Sequence, residues 1–414
     1  MIFIRELIRE EQVLLHLLRR NLKPDTELLP DAIAAQTDWR RVMYEAGTQG
    51  VLLPAFDAAA PYQKNMPDDV RQACFQRSGG ILAHNLRVAR VREEMVGRLE
   101  ACGFPYVILK GEAAAAYYPR PQLRQLGDVD FLVDPLQKQE VEECLAALGY
   151  VGEMHDHICH VVLKKPGAHL EMHFETVGIP YHQQGEWVRE AMADALACAR
   201  RSGSGEAAFW VPGGFHHGLI LLLHMQHHMV AEGLGLRHLC DWAAFVDKTW
   251  QEPFWRERLL PVLKKIGLLR YAAVMTCVCG AALGTACPDW AVGADEALCR
   301  AVLLDIFSGG NFGRKDRGRS KAGMMVSQHG KEGVSRGSIY NLWKTLHQTT
   351  PGRFPIVRRI RILHPVLDGY RVLEYLVKTA AGKRPSLLRI VPLAKERRAV
   401  YGQLKIFETE EAGE

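Results

Sequence analysis

The sequence predicts an α+β fold, with a few strands gathered in the middle third and predominantly helical regions before and after them. Three patterns carry that prediction. The run Arg124-Gln125-Leu126-Gly127-Asp128-Val129-Asp130-Phe131-Leu132-Val133 reads as an apolar, β-branched strand that holds two carboxylates. Two more strand-like runs, Ile158 to Lys164 and His169 to Phe174, flank the turn Lys165-Pro166-Gly167-Ala168. On both sides of this segment the apolar residues recur at helical spacing. The chain therefore divides into a helical region over 1–100, a strand-bearing core over 101–212, a helical region over 213–310 and a basic helical region over 311–414.

Taken in order, Val13-Leu14-Leu15-His16-Leu17-Leu18 marks one helix, and Asp38 to Met43 opens another with Thr37 as its N-cap. A long helix over Ile81 to Ala101 ends at Gly103. Phe104 to Leu109 is a short buried strand, followed by the tight Lys110-Gly111 turn and an Ala-rich helix from Glu112 to Tyr118. Pro119-Arg120-Pro121 ends that helix ahead of the Asp-x-Asp strand. Pro135 to Leu148 is an amphipathic helix closed by Gly149, and Leu219 to Val230 and His238 to Trp250 are helices after the strands. The segment Arg314 to Arg336 is rich in Gly, Ser, Lys and Arg and reads as a mobile loop near 314–336.

The chain has 414 residues and a formal net charge of +5. Its ordinary apolar and charged fractions exclude fibrous and wholly disordered classes. Ten cysteines stand with no CxxC pair, and the first residues interrupt their apolar positions with acids and bases, unlike a secretory leader. That combination predicts a reduced, cytoplasmic setting. The uncharged stretch from Tyr271 to Cys287 is Ala/Gly/Cys-rich and short for a span of roughly 20 residues, so it reads as a buried helix and no transmembrane segment is expected. Between Asn311 and Val400 there are 20 Lys and Arg against five acids. Such a lobe suits nucleic acid, an anionic surface or a polyphosphate, or is simply a solvated basic face.

The chemistry begins at Asp128 and Asp130. Alternate strand side chains point to opposite faces, so these two carboxylates emerge together while Val129, Phe131 and Val133 turn to the core. Paired carboxylates repel unless protons or cations intervene, and a hard divalent cation such as Mg²⁺ or Mn²⁺ is the usual remedy. Glu171 and His173 share a face of the next strand, so Glu171 is the candidate third carboxylate, with Glu175 as its competitor. Gly111 permits close backbone approach to a phosphate, Lys110 offers a point charge, and Arg124 could hold a phosphate oxygen or orient an aspartate.

Two histidine clusters accompany these residues. His224 and His228 lie one helical turn apart, with His227 beside them and Arg237, His238 and Asp241 beyond. The spacing can bind zinc, but there is no HExxH glutamate and no nearby Cys, so a structural or substrate-contacting helix is the better reading. His155, Asp156, His157 and His160 read as surface turn residues.

Leu109-Lys110-Gly111, Tyr118, Arg124, Gly127 to Val133 and Leu170-Glu171-Met172-His173 together resemble an uncharacterised bacterial family within the DNA polymerase β-like nucleotidyltransferase superfamily. Asp38-Trp39, Gly50-Val51, Leu239-Cys240-Asp241 and, more loosely, Phe354 to Arg359 extend the resemblance over most of the chain. It implies a small mixed sheet, with Asp128, Asp130 and Glu171 as catalytic metal ligands and Gly111 near a triphosphate. The activity implied is Mg²⁺-dependent transfer of a nucleoside monophosphate from an NTP such as ATP to an acceptor: a small molecule, glycan, protein or RNA. A non-catalytic module that binds nucleic acid or a partner through the basic lobe is the alternative. Glu112 stands where the superfamily's motif has Ser or Gly, and its charge would repel a triphosphate unless it points away.

Overall fold

The computed structural model describes residues 3–153, 159–180, 183–203, 205, 208–316, 319, 347, 350, 353, 354, 356–360, 362–380 and 387–409. The fold is α+β, as the sequence predicts. Strands β1 (Val107–Ile108), β2 (Val129–Leu132), β3 (Val151–Gly152), β4 (His160–Lys165) and β5 (Ala168–His173) form one small mixed sheet. Their order is β1-β2-β5-β4-β3. β2 and β5 run parallel, with Asp130 opposite Glu171, and the other pairs are antiparallel. A separate two-stranded ribbon, β6 (Arg200–Ser202) with β7 (Phe209–Val211), was not expected from the sequence.

The two faces of the sheet have different partners. Val129, Phe131, Leu170 and Met172 pack beneath a long helix through Val88, Met95 and Leu99. On the other face Val107 and Leu132 meet Ile220 of the Gly214–Ala231 helix. A larger core joins the N-terminal helices to those after residue 213, through side chains such as Leu14, Trp39, Phe245, Tyr271 and Leu404. Because one alternation sends Phe131 to the first face and Asp130 to the second, the carboxylates open toward the Gly214–Ala231 helix.

Several element boundaries differ from expectation, each for a local reason. The long helix runs Asp68–Cys102, starting at Pro67 with Asp68 and Asp69 in its first turn. Gly79 and Gly80 lie inside it with open space around them, so they do not interrupt it. Asp38, not Thr37, caps the Trp39–Thr48 helix by accepting from the Arg41 amide; the Thr37 hydroxyl instead donates to the Ile33 carbonyl. The helix after Gly111 is only Glu112–Ala115, the expected Pro135 helix begins as a 3-10 turn before Lys138–Ala146, and β1 keeps only two residues of the Phe104 to Leu109 run. His155, Asp156, His157 and most of the 314–336 loop lie outside the described residues.

The Tyr271 to Cys287 stretch forms most of the Leu269–Leu283 helix, whose Tyr271, Met275, Val278 and Leu283 are fully buried. Among the described residues no single helix is long and apolar enough to cross a membrane. Nor is the basic C-terminal run all surface. Arg319 is buried against Asp305, and Arg397 is buried with its guanidinium donating to the Met229 and Val230 carbonyls at 2.7 and 3.3 Å.

One buried ionic cluster ties the sheet to the helices. Arg124 Nε and Nη2 each donate to Asp241 at 2.7 Å, and the Tyr118 hydroxyl donates to the same carboxylate at 2.7 Å. Asp241 belongs to the Leu236–Thr249 helix and is 3% exposed, so water cannot replace a lost partner. Replacing Asp241 with Ala leaves the Arg124 charge buried without its counter-ion and should cost about 3–5 kcal/mol of stability. Chemical denaturation checks this: the midpoint should fall sharply, and an unchanged midpoint would mean the cluster contributes nothing net.

Candidate active site

β2 and β5 deliver the acids. Side-chain exposure falls from 44% at Asp128 to 24% at Glu171 and 12% at Asp130, so Asp130 most needs a nearby positive charge. It has two. Lys110 Nζ lies 2.7 Å and His173 Nε2 lies 3.1 Å from Asp130 Oδ1. Burial pushes the Asp130 carboxyl up, but the Lys110 charge and the His173 hydrogen bond outweigh it and hold the group below the usual carboxylate range. His173 is correspondingly pushed up to about 10: burial opposes its protonation, and hydrogen bonds to Asp130, Cys159 and Glu171 overcome it.

Asp128 sits differently. Its Oδ1 is 3.2 Å from His169 Nδ1, and burial, only partly offset by His169, raises its pKa, with Glu171 and Asp130 adding to the rise. The ligand atoms of Asp130, Glu171 and His173 lie within 4.8 Å of one another, as do those of Asp128, His169 and Glu171. Glu171 is thus common to both groups. Glu175 lies elsewhere, its carboxylate held by Arg189 Nε at 2.5 Å beyond the end of β5.

Gly111 has φ +62°, a backbone state that favours glycine, and it turns the chain from Lys110 into the Glu112–Ala115 helix. Glu112 points away from the acids into a pairing with Arg92 Nε at 2.9 Å. Burial raises its pKa while Arg92 pulls it down. Arg124 is brought to the same cavity but spends its donors on Asp241 and on the Gln125 carbonyl. Asn85 fixes the intervening loop, donating to the Arg124 carbonyl at 2.9 Å and accepting from the Leu126 amide at 2.9 Å.

Lys110, Gly111, Arg124, Asp128, Asp130 and Glu171 line a cavity of about 310 Å³ whose opposite wall is cationic and imidazole-rich. His224 and His228 come from the Gly214–Ala231 helix, Arg237 and His238 from the Leu236–Thr249 helix, and Arg314 from the segment after Asn311. Gln49, fully buried, holds the start of the second helix: it accepts from the Leu236 amide and donates to the Ile306 carbonyl, both at 3.1 Å. His224 Nε2 is 2.8 Å from His228 Nε2 and 3.3 Å from Lys110 Nζ. Burial, then neighbouring positive charge, keeps His224, His228 and His238 well below the ordinary imidazole range, so all three are neutral at pH 7. Sequence reasoning named these histidines but not their convergence with Lys110; the His224/His228 spacing was the available signal. It gave Asn311, Phe312 and Arg314 no place in the cavity.

A family model described as an uncharacterised nucleotidyltransferase matches residues 35–284. No curated protein and no solved structure matches the chain.

The Glu112–Arg92 pair yields a pH-dependent expectation. A carboxyl whose folded pKa is raised contributes stability that is present below its unfolded pKa and lost as pH rises through the folded value. Arg92 limits that loss. In Arg92→Met the Glu112 pKa should rise further, so the variant's destabilisation relative to wild type should grow from about pH 4.5 toward pH 8. Denaturation midpoints measured across that range test this, and a loss independent of pH would contradict it.

Proposed function

The chain belongs to the uncharacterised nucleotidyltransferase family whose model it matches over more than half its length, and on that premise we propose that it moves a nucleoside monophosphate from an NTP to an acceptor, with Mg²⁺ or Mn²⁺. One observation carries the reading. Asp130 and Glu171 stand side by side on parallel strands, with Asp128 on the same face, in a cavity whose other wall is positively charged.

The donor set fits a hard cation. Asp128, Asp130 and Glu171 offer carboxylate oxygens, the ligands that Mg²⁺ prefers, and the positive charge they call for is supplied at Asp130 by Lys110 and His173. When bound, the metal would neutralise the triphosphate and align the attack. The protein's own part is then positional. Lys110 can leave Asp130 to meet a phosphate oxygen, Gly111 lets the backbone approach, and Arg124 acts through Asp241 to hold the 122–126 loop in place. With Glu112 paired to Arg92, its carboxylate does not face the triphosphate.

In the transfer an acceptor oxygen forms a bond to the α-phosphorus while the bond from that phosphorus to the bridging oxygen breaks, releasing pyrophosphate. Glu171 either takes the acceptor's proton or helps hold a second metal. Incubation with each labelled NTP and Mg²⁺ should transfer label to the protein, to RNA or to a small acceptor in a lysate, and chelation should stop it.

The double variant Asp128→Asn, Asp130→Asn should lose transfer while keeping the native fold, as read by circular dichroism; undiminished transfer would defeat the proposal. Glu171→Gln should slow transfer by about 10²–10⁴-fold. Glu175→Gln should leave it within a few-fold of wild type, and equal losses in single-turnover rate would make the assignment of Glu171 wrong.

A further inference from the structure

Arg237 is a half-buried cation whose nearby anion, Asp241, is bonded to other groups. It lines the cavity, its Nε is sealed from solvent without a hydrogen-bond partner, and its guanidinium lies 5.3 Å from the Phe312 ring. No salt bridge reaches it among the described residues. Asp241, one turn along the same helix, is already engaged by Arg124 and Tyr118. Burial, with the nearby Arg124 charge, lowers its pKa to about 10, which leaves it charged at neutral pH. An unpaired, half-buried guanidinium is costly to keep, and a ligand that supplies the missing charge removes that cost.

His238 adds a second unused donor. Its Nδ1 accepts the Gly235 amide at 3.4 Å, which assigns the proton of the neutral ring to Nε2. That Nε2 is buried and unpartnered, in a residue only 3% exposed. The same tautomer argues against a metal here. The ring nitrogens of His224, His228 and His238 converge within 4.8 Å, but the His238 lone pair is turned away, and a cation would sit close to Lys110 and Arg237. Two unsatisfied N–H donors, with Lys110 and Arg314 on the same cavity, call for oxygen acceptors carrying negative charge.

We propose that Arg237 and His238, supported by Lys110 and Arg314, form a phosphate-binding subsite that binds without the metal. Its ligand in the working protein rests on the nucleotidyltransferase reading, because the phosphate comes either from the nucleotide's terminal phosphates or from a phosphorylated acceptor. The binding itself depends only on the donors described.

The test uses the full chain in EDTA, titrated with inorganic phosphate, pyrophosphate and a simple phosphate monoester, and read by calorimetry and thermal unfolding. Saturable binding is expected, weakened about tenfold or more in Arg237→Gln, as loss of a charge-assisted hydrogen bond implies. In anion-free buffer Arg237→Gln should unfold at the same or a higher temperature than wild type, because the wild-type charge has no partner there. A structural role would give the reverse, and so would overturn the proposal. The Asp128→Asn, Asp130→Asn variant should keep its phosphate response, and wild-type protein that binds phosphate but transfers no label from any NTP with Mg²⁺ defeats the functional reading alone. Loss of the monoester signal on saturation with a non-hydrolysable NTP would assign the subsite to the nucleotide; a surviving signal would assign it to the acceptor. Absence of saturable binding, an equal response in Arg237→Gln, or stabilisation by Zn²⁺ but not by phosphate would overturn the subsite.

Discussion

Parallel pairing of β2 with β5 brings Asp130 and Glu171 to equivalent positions on one face of the sheet, and the rest of the cavity answers the charge this creates. At a strand separation of roughly 4.8 Å and an effective dielectric of about 20, two ionised carboxylates repel by about 3.5 kcal/mol. Lys110 and His173 offset that repulsion at Asp130. The apolar alternation of the same strands gives the register its strength. A one-residue slip would put Phe131 and Met172 into the cavity and the acids into the core beneath the Asp68–Cys102 helix.

The wall that faces the acids is fixed at long range. Arg124, Tyr118 and Asp241 join the loop before β2 to the Leu236–Thr249 helix, while Gln49 joins the start of that helix to the N-terminal region and to the Ile306 carbonyl. The helical regions are therefore part of the site's construction as well as its cover. A shift of the second helix would move Arg237 and His238 together with Asp241, and through Asp241 would disturb Arg124 and the loop leading to Asp128.

What the sequence revealed follows the range of the interactions. The facing of Asp128 and Asp130, and of Glu171 with His173, is a local consequence of strand periodicity, so it was legible without a structure. The choice between Glu171 and Glu175 was not, because it turns on where β5 ends and on Arg189, which claims Glu175. The direction of Glu112 depends on Arg92, twenty residues earlier on a neighbouring helix. Arg124 was seen as a partner for an aspartate or a phosphate, but the aspartate it meets is 117 residues away. The long helix was expected from Ile81 but starts at Asp68, and β6 and β7 were missed because three-residue strands carry little periodic signal.

The account requires a cation-binding centre at the carboxylates, apart from the imidazoles across the cavity. Anomalous diffraction from crystals soaked in Mn²⁺ with a non-hydrolysable NTP tests this most directly. A manganese peak bounded by Asp128, Asp130 and Glu171, with Lys110 withdrawn from Asp130 toward the phosphates, is the predicted result. A peak at His224, His228 and His238 with none at the carboxylates would contradict it.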